Sequence, residues 1–271
     1  MSSNTTQNRT AVSVRNVWMT YPGKRRGEET NVLHDVSMSV RQGEFVCIVG
    51  PSGCGKSTLL NIIGGFLRAT RGEVLVEGSP VVRPDPRRIF LFQENGIFPW
   101  LTVRDNVGFG LLKKKASERD PVVQHYVDMV GLTGFEKAYP HELSGGMRQR
   151  VEIARALAAS PHILYMDEPF GALDFITRLK MRSDLIRIWE AERKTILFVT
   201  HDIEESVQLA DRVMVMSKRP ATIKTEVVVD LPRPRDLDSP GYLATRDSIF
   251  HAMGMSAKRG GESETTLSAA R

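Results

Sequence analysis

Two hydrophobic rhythms alternate along the chain. Val12-Ser13-Val14-Arg15-Asn16-Val17 and Val36-Ser37-Met38-Ser39-Val40 place apolar residues at every second position, the pattern of half-exposed strands. Between them, Met19-Thr20-Tyr21-Pro22-Gly23 reads as a turn carrying an aromatic ring, and Lys24–Asn31 as a charged loop. A second set of runs is apolar without alternation: Phe45–Val49, Ile89–Phe92, Ile163–Met166, Thr195–Val199 and Arg212–Met216. Their brevity and their β-branched or aromatic content suit strands buried on both faces. Arg71–Gly78 reads as a strand ending in a turn, and Thr222–Val229 as a late strand. Helical spacing governs Val103–Leu112, Val122–Val130 and Met147–Ala158, where Met147, Val151, Ala154 and Ala158 form one stripe. Further helices are predicted at Ser57–Ile63, Phe175–Ala191 and Ile203–Leu209. Strands alternating with helices predict an α/β fold with a mainly parallel sheet. The helix-rich stretch of about residues 94–160 reads as a subdomain inserted into that core. One domain is expected over residues 12–243. Residues 1–11 are read as a disordered lead-in, and 244–271 as a tail with one short helix before a disordered end.

Gly50-Pro51-Ser52-Gly53-Cys54-Gly55-Lys56-Ser57-Thr58 stands between a predicted strand and a predicted helix. That context makes the spacing G-x-x-x-x-G-K-[ST] a phosphate site. Its glycines let backbone N–H groups converge on phosphate oxygens, and the helix start adds a positive end. Lys56 is expected to reach the β- and γ-phosphates of a nucleoside triphosphate, and the Ser57 hydroxyl to bind Mg²⁺. Asp167 and Glu168 end the apolar strand that begins at Ile163. Asp167 is expected to hold Mg²⁺ opposite Ser57, directly or through water, and Glu168 to polarise the attacking water. Leu143-Ser144-Gly145-Gly146-Met147 opens a helix. Free N–H groups and a hydroxyl there suit an anion, while the same residues serve equally as a plain N-cap.

Composition changes this picture little. The 271 residues carry a formal charge of +5, spread along the chain, and 41% are hydrophobic. No aromatic residues interleave with clusters such as Lys24-Arg25-Arg26 or Lys113-Lys114-Lys115, so the stacking signal of a single-strand nucleic-acid binder is missing. Cys47 and Cys54 form neither a disulfide framework nor a metal-ligand pattern. No run of about 18 apolar residues occurs, so a membrane-spanning part is expected from another chain.

Taken together, these strings resemble the ATPase subunit of ATP-binding-cassette (ABC) transporters over residues 12–243. Gly50–Thr58 is similar to the Walker A motif, Ile163–Glu168 to Walker B, and Leu143–Met147 to the family signature, with Met147 in place of the commoner glutamine. The resemblance implies a P-loop NTPase core with an antiparallel β subdomain and an inserted helical subdomain, and ATP with Mg²⁺ as cofactors. It further implies that Gln93 links Mg²⁺ to the membrane subunit, that Tyr21 stacks on adenine, and that His201 contacts the γ-phosphate. Gly171–Asp174 matches the segment that brings Asp174 to the nucleotide site. ATP would be sandwiched between Gly50–Thr58 of one copy and Ser144–Gly146 of another, so a homodimer is implied.

Phe98-Pro99-Trp100-Leu101-Thr102-Val103 is similar to the corresponding stretch in importers of nitrate, taurine and aliphatic sulfonates. Phe98 and Trp100 serve either as core of the helical lobe or as neighbours of the groove that receives the membrane subunit. The importer reading implies permease partners, a periplasmic or extracellular substrate-binding protein, and a peripheral place on the cytoplasmic face of the inner membrane. The other reading is a soluble ATPase of the same fold acting on a macromolecule such as nucleic acid. The chain leaves no room for the regulatory domain of the similar sugar importers, and its lone cassette favours the importer.

Overall fold

The computed structural model describes residues 9–23, 28–93 and 96–255. Its larger sheet has six strands, in the order β10 (Ile223–Val228), β9 (Arg212–Met216), β3 (Phe45–Val49), β8 (Thr195–Thr200), β7 (Ile163–Asp167) and β6 (Arg88–Leu91). Neighbours pair in parallel except β10, which runs antiparallel to β9. A second, antiparallel sheet has the order β2 (Glu29–Arg41), β1 (Thr10–Pro22), β4 (Arg71–Val76) and β5 (Ser79–Pro80).

The non-alternating runs are explained by two cores, one on each face of the larger sheet. Phe45, Cys47 and Val49 of β3 enter one core, while Val46 and Ile48 enter the other. Leu164 and Met166 of β7 likewise oppose Ile163 and Tyr165, and Val213 and Val215 of β9 oppose Met214 and Met216. Side chains of a strand alternate between faces, so a strand covered on both must be apolar throughout. The first core is closed by α2 (Val103–Gly108), α3 (Ala116–Met129), α4 (Gly145–Ala158), α5 (Phe175–Glu192), α6 (Ile203–Leu209) and α7 (Pro240–Ala252). The second is closed by the antiparallel sheet and by α1 (Lys56–Gly64). Tyr165 is wholly buried in β7, and its hydroxyl finds no hydrogen-bond partner among the described residues.

Several elements differ from the local reading. Met19–Pro22 is not a turn but the end of β1: Tyr21 lies opposite Thr30 and Pro22 opposite Glu29. Cross-strand pairing here outweighs local turn propensity. An irregularity between Val14 and Val17, with Asn16 in the left-handed region at φ 46°, is what interrupts the alternation. The charged loop is shorter than expected because β2 begins at Glu29; Lys24–Gly27 lie outside the described residues. Thr10 and Ala11 belong to β1 and Ala11 is buried, so ordered chain starts ahead of residue 12, whereas residues 1–8 are outside the description. Helix α3 starts at Ala116 and accommodates Pro121, which reads locally as a breaker; burial of Val123, Tyr126 and Val127 holds it together. Helix α7 straddles the expected boundary at 243 and buries Tyr242 and Ile249. The expected disorder after it falls on residues 256–271, outside the description.

Buried Arg212 joins the two sheets. Its Nη1 donates to both carboxylate oxygens of Glu44, at 2.9 and 3.0 Å, and to the Ser39 carbonyl of β2 at 3.2 Å. Its Nε donates to Glu226 of β10 at 2.7 Å. Breaking a buried pair from one side leaves an uncompensated charge. We expect Arg212→Met to lower unfolding free energy by about 3–5 kcal/mol, whereas Glu226→Gln, at the half-exposed end, loses about 1 kcal/mol or less. Denaturant titration of the two variants checks this, and equal losses would contradict the buried bridge.

Candidate nucleotide site

The phosphate loop leaves β3 at Val49 and turns into α1. Gly55 sits at φ 124°, and a Cβ there would come within 2.9 Å of Val32 Cγ1 and 3.0 Å of Leu33 Cδ2. Only glycine supplies that backbone and lets β2 lie against the loop. Lys56 is buried, and its Nζ donates to the carbonyls of Gly50 and Pro51 at 3.1 and 3.3 Å. It also stands 3.7 Å from Glu168 Oε1. The ammonium is thus held within its own loop, beside the acid at the end of β7.

Parallel pairing brings the acids to that loop. Asp167 lies opposite Val199 of β8, and β8 in turn pairs with β3 so that Thr200 faces Val49. Ser57 Oγ donates to Asp167 Oδ1 at 3.0 Å, 110 residues away in sequence. A hydroxyl and a carboxylate side by side are hard oxygen donors, the kind Mg²⁺ takes together with phosphate oxygens and water. Burial first, then the neighbouring charge of Glu168, raise the Asp167 carboxyl above its ordinary range; the Ser57 bond and Lys56 work against them. A cation at this point would offset that penalty.

Glu168 adopts φ 46°, a left-handed conformation uncommon outside glycine, while its N–H still donates to the Val199 carbonyl at 2.9 Å. Its Oε2 lies 2.9 Å from His201 Nδ1 and its Oε1 faces Lys56. One carboxylate is therefore oriented from both sides. His201 is exposed and follows β8 directly, and the next residue, Asp202, caps α6 by accepting from the Glu205 N–H at 3.2 Å.

The other expected residues fall in three places. Tyr21 is half-buried on β1, beside the part of β2 that covers Gly55. Gln93 is exposed just beyond β6, whose Leu91 lies opposite Met166, so it leaves the sheet beside Asp167. Ser144 caps α4 by accepting from the Met147 N–H at 3.3 Å. No hydrogen bond among the described residues links Ser144, Gly145 or Gly146 to Gly50–Thr58. Instead a Cβ on Gly146 would meet Thr177 Cγ2 at 2.5 Å, and one on Gly145 would meet Leu173. Asp174 caps α5 by accepting from the Thr177 N–H at 3.0 Å; bonds from Thr177 hold its carboxyl below the usual range. Thr177 thus touches both Asp174 and Gly146.

Tertiary structure adds residues that no local motif singled out. Lys218 and Arg219 flank the exposed Ser52–Gly53 turn of the phosphate loop. Glu152 and Arg155 of α4 hold the segment after Gln93: Gly96 donates to Glu152 Oε1 at 3.1 Å, and Arg155 Nη1 donates to the Gly96 carbonyl at 2.8 Å. Arg155 also covers the Phe98 ring. Fully buried Asn106 binds Phe98 through both its amide atoms. Phe98 is consequently packed, against Phe109, whereas Trp100 is 70% exposed. The two rings lie with centroids 5.5 Å apart.

Sequence and fold are both similar to those of ATP-binding-cassette proteins. The ABC transporter family model matches residues 33–171. The aliphatic sulfonates import ATP-binding protein SsuB of Bacillus cereus is 42% identical over 236 residues, 87% of this chain and 92% of that protein. The nitrate import ATP-binding protein NrtD of Synechococcus elongatus is 45% identical over 223 residues, 79% and 81% of the two chains. The dimeric structure of the bacterial ABC transporter cassette MJ0796 superposes with a TM-score of 0.69 at 36% identity, covering 80% of this chain and 98% of that one. The same cassette has been solved as a post-hydrolysis dimer with ADP and phosphate, which superposes with a TM-score of 0.68. The chain belongs to the ABC transporter family. It is an ATP-hydrolysing cassette.

Two variants test the local geometry. Gly146→Ala is expected to cost about 1–3 kcal/mol through the clash with Thr177; adding Thr177→Ser, which deletes the offending methyl, should restore most of it in thermal unfolding. Burial pushes Glu152 up to about 7, against the Gly96 bond and Arg155. A raised carboxyl stabilises the fold fully below its unfolded value and loses that contribution as pH rises through 7. Stability measured from pH 5 to 8 should therefore decline between pH 5 and about 7 and level off above that in the wild type, and decline less in Glu152→Gln.

Proposed function

We propose that this chain is the ATP-hydrolysing, energy-coupling subunit of a membrane importer for a small anion or a sulfur or nitrogen compound of the sulfonate, taurine or nitrate type. The observation that carries the catalytic part is the carboxylate of Glu168 held between Lys56 and His201, one residue after the Ser57–Asp167 pair. In this reading Gly50–Thr58 wraps the phosphates, with Lys56 on the β- and γ-phosphates. Ser57, Asp167 and Gln93 hold Mg²⁺, which neutralises phosphate charge when bound. Glu168 orients and polarises water, His201 fixes Glu168 and reaches the γ-phosphate, and Tyr21 stacks on the base.

Gly146 lies against Thr177 of α5, and no hydrogen bond among the described residues joins Ser144–Gly146 to Gly50–Thr58; they are assigned to the nucleotide of a second copy. Two copies pairing head to tail complete two sites, with Asp174 at the junction. That arrangement is supported by the dimeric state of MJ0796. Among the described residues no helix is long and apolar enough to cross a membrane. The membrane path is assigned to separate permease subunits, served by a substrate-binding protein, with this chain on the cytoplasmic face of the inner membrane. The similarity to SsuB and NrtD supports the import direction and the cargo class. Exposed Trp100, in the turn whose Phe98 and Leu101 backbone Asn106 holds, is the side chain offered to the permease.

Glu168→Gln is expected to lower steady-state ATP turnover by about 10²- to 10⁴-fold while the protein accumulates as an ATP-bound dimer in size-exclusion chromatography. Normal turnover in that variant would remove Glu168 from the catalytic role. Trp100→Gln should leave basal ATPase within about two-fold and abolish its stimulation in vesicles containing the permease; parallel loss of both would argue for a merely structural tryptophan.

A further inference from the structure

Residues of α5, the end of α6 and the segment 233–237 line an open cavity of about 340 Å³. That volume lies within the range of small-molecule sites. Four arginines line it, Arg182, Arg187, Arg233 and Arg235, with one acidic residue, Glu190; the Arg187 guanidinium donates to the Met129 carbonyl at 2.8 Å. Leu179, Ile186, Leu209 and Leu237 supply the apolar remainder.

The arginines are unevenly satisfied. Arg182 is buried and pairs with Asp202 at 2.6 Å and Glu205 at 3.0 Å. Arg233 pairs with Asp211 at 2.8 Å and covers the Trp189 ring. Arg235 has no carboxylate within ion-pair distance among the described residues. Its guanidinium donates only to the backbone carbonyls of Val207 and Val229. Desolvation, then the neighbouring charge of Arg233, lower it to about 10. In addition, Nε of Arg182, Arg233 and Arg235 are all buried without an acceptor. All three belong to residues that line the cavity, although the Nε atoms themselves are covered by protein.

We propose that this cavity binds a small organic oxyanion, a carboxylate or sulfonate carrying a short apolar body, at a site separate from the nucleotide. The planar, multiply donating guanidiniums suit the two or three oxygens of such a head group. The leucine and isoleucine walls suit the body. Arg182 also links the wall to the loop bearing His201, since Asp202 is its partner.

Isothermal titration of the ATP-loaded chain with hexanesulfonate and with hexanoate, at constant ionic strength, tests this. Hexan-1-ol serves as the uncharged control and inorganic sulfate as the control lacking the apolar body. We expect saturable one-to-one binding of both organic anions below about 10 mM, at least ten-fold weaker binding of hexan-1-ol and of sulfate, and no displacement by ATP. Arg235→Gln should weaken the anions ten-fold or more without changing ATP affinity. Ser183→Trp, an exposed helix position at the mouth, should block them with every arginine retained. Equal binding of hexan-1-ol, displacement by ATP, indifference to both variants, or no saturable binding at all would each overturn the proposal.

Discussion

Burial of the larger sheet on both faces is the constraint from which the site follows. Strands β3, β7 and β8 admit no charge along their lengths, so polar chemistry collects where they end. Because they run parallel and in register, Val49, Asp167 and Thr200 finish at one edge. Residues separated by more than a hundred positions thus meet within hydrogen-bond distance there, as the Ser57–Asp167 contact shows. The crevice at the carboxyl ends of parallel strands is where open α/β sheets generally bind ligands.

Around that edge, the remaining parts are fastened by a few polar anchors inside otherwise apolar packing. Arg212 ties the antiparallel sheet, through Ser39 and Glu44, to β9 and β10. Asn106 and the Glu152–Arg155 pair fasten the segment after Gln93 to the helical part. Each anchor binds backbone or a charge that would otherwise be buried without a partner, so its loss costs more than the bond itself is worth.

Contact between α4 and α5 joins two motif segments that the sequence keeps thirty positions apart. Thr177 fills the space left by the missing side chain of Gly146, and its N–H is held by Asp174. Gly146 and Asp174 are therefore joined through one residue, Thr177. That pairing suits the proposed two-copy site, in which each chain would present one half to its partner.

The core strands and the phosphate-loop helix were legible in the residues, because each is set by a local rule. An unbroken apolar run has only a two-faced sheet to occupy, and a glycine-rich turn before a lysine and a hydroxyl has few uses besides phosphate. Asp167 and Glu168 were legible for the same reason, since they stand where an apolar run stops. Tyr21 was read as part of a turn, and Pro121 as lying outside a helix, because strand pairing with Thr30 and packing of Val123 and Val127 act over distances that no local pattern encodes. The same holds for Glu152, Arg155, Asn106, Lys218, Arg219 and the arginine-lined cavity, whose members are unremarkable until the fold assembles them. Sequence by itself determined the fold class and the phosphate chemistry, because dihedral preference and hydrophobic period are properties of neighbouring residues. Which charges share a carboxylate, which guanidinium goes unpaired and which aromatic ring stays exposed were decided only by tertiary structure, because electrostatics and burial depend on distance through space.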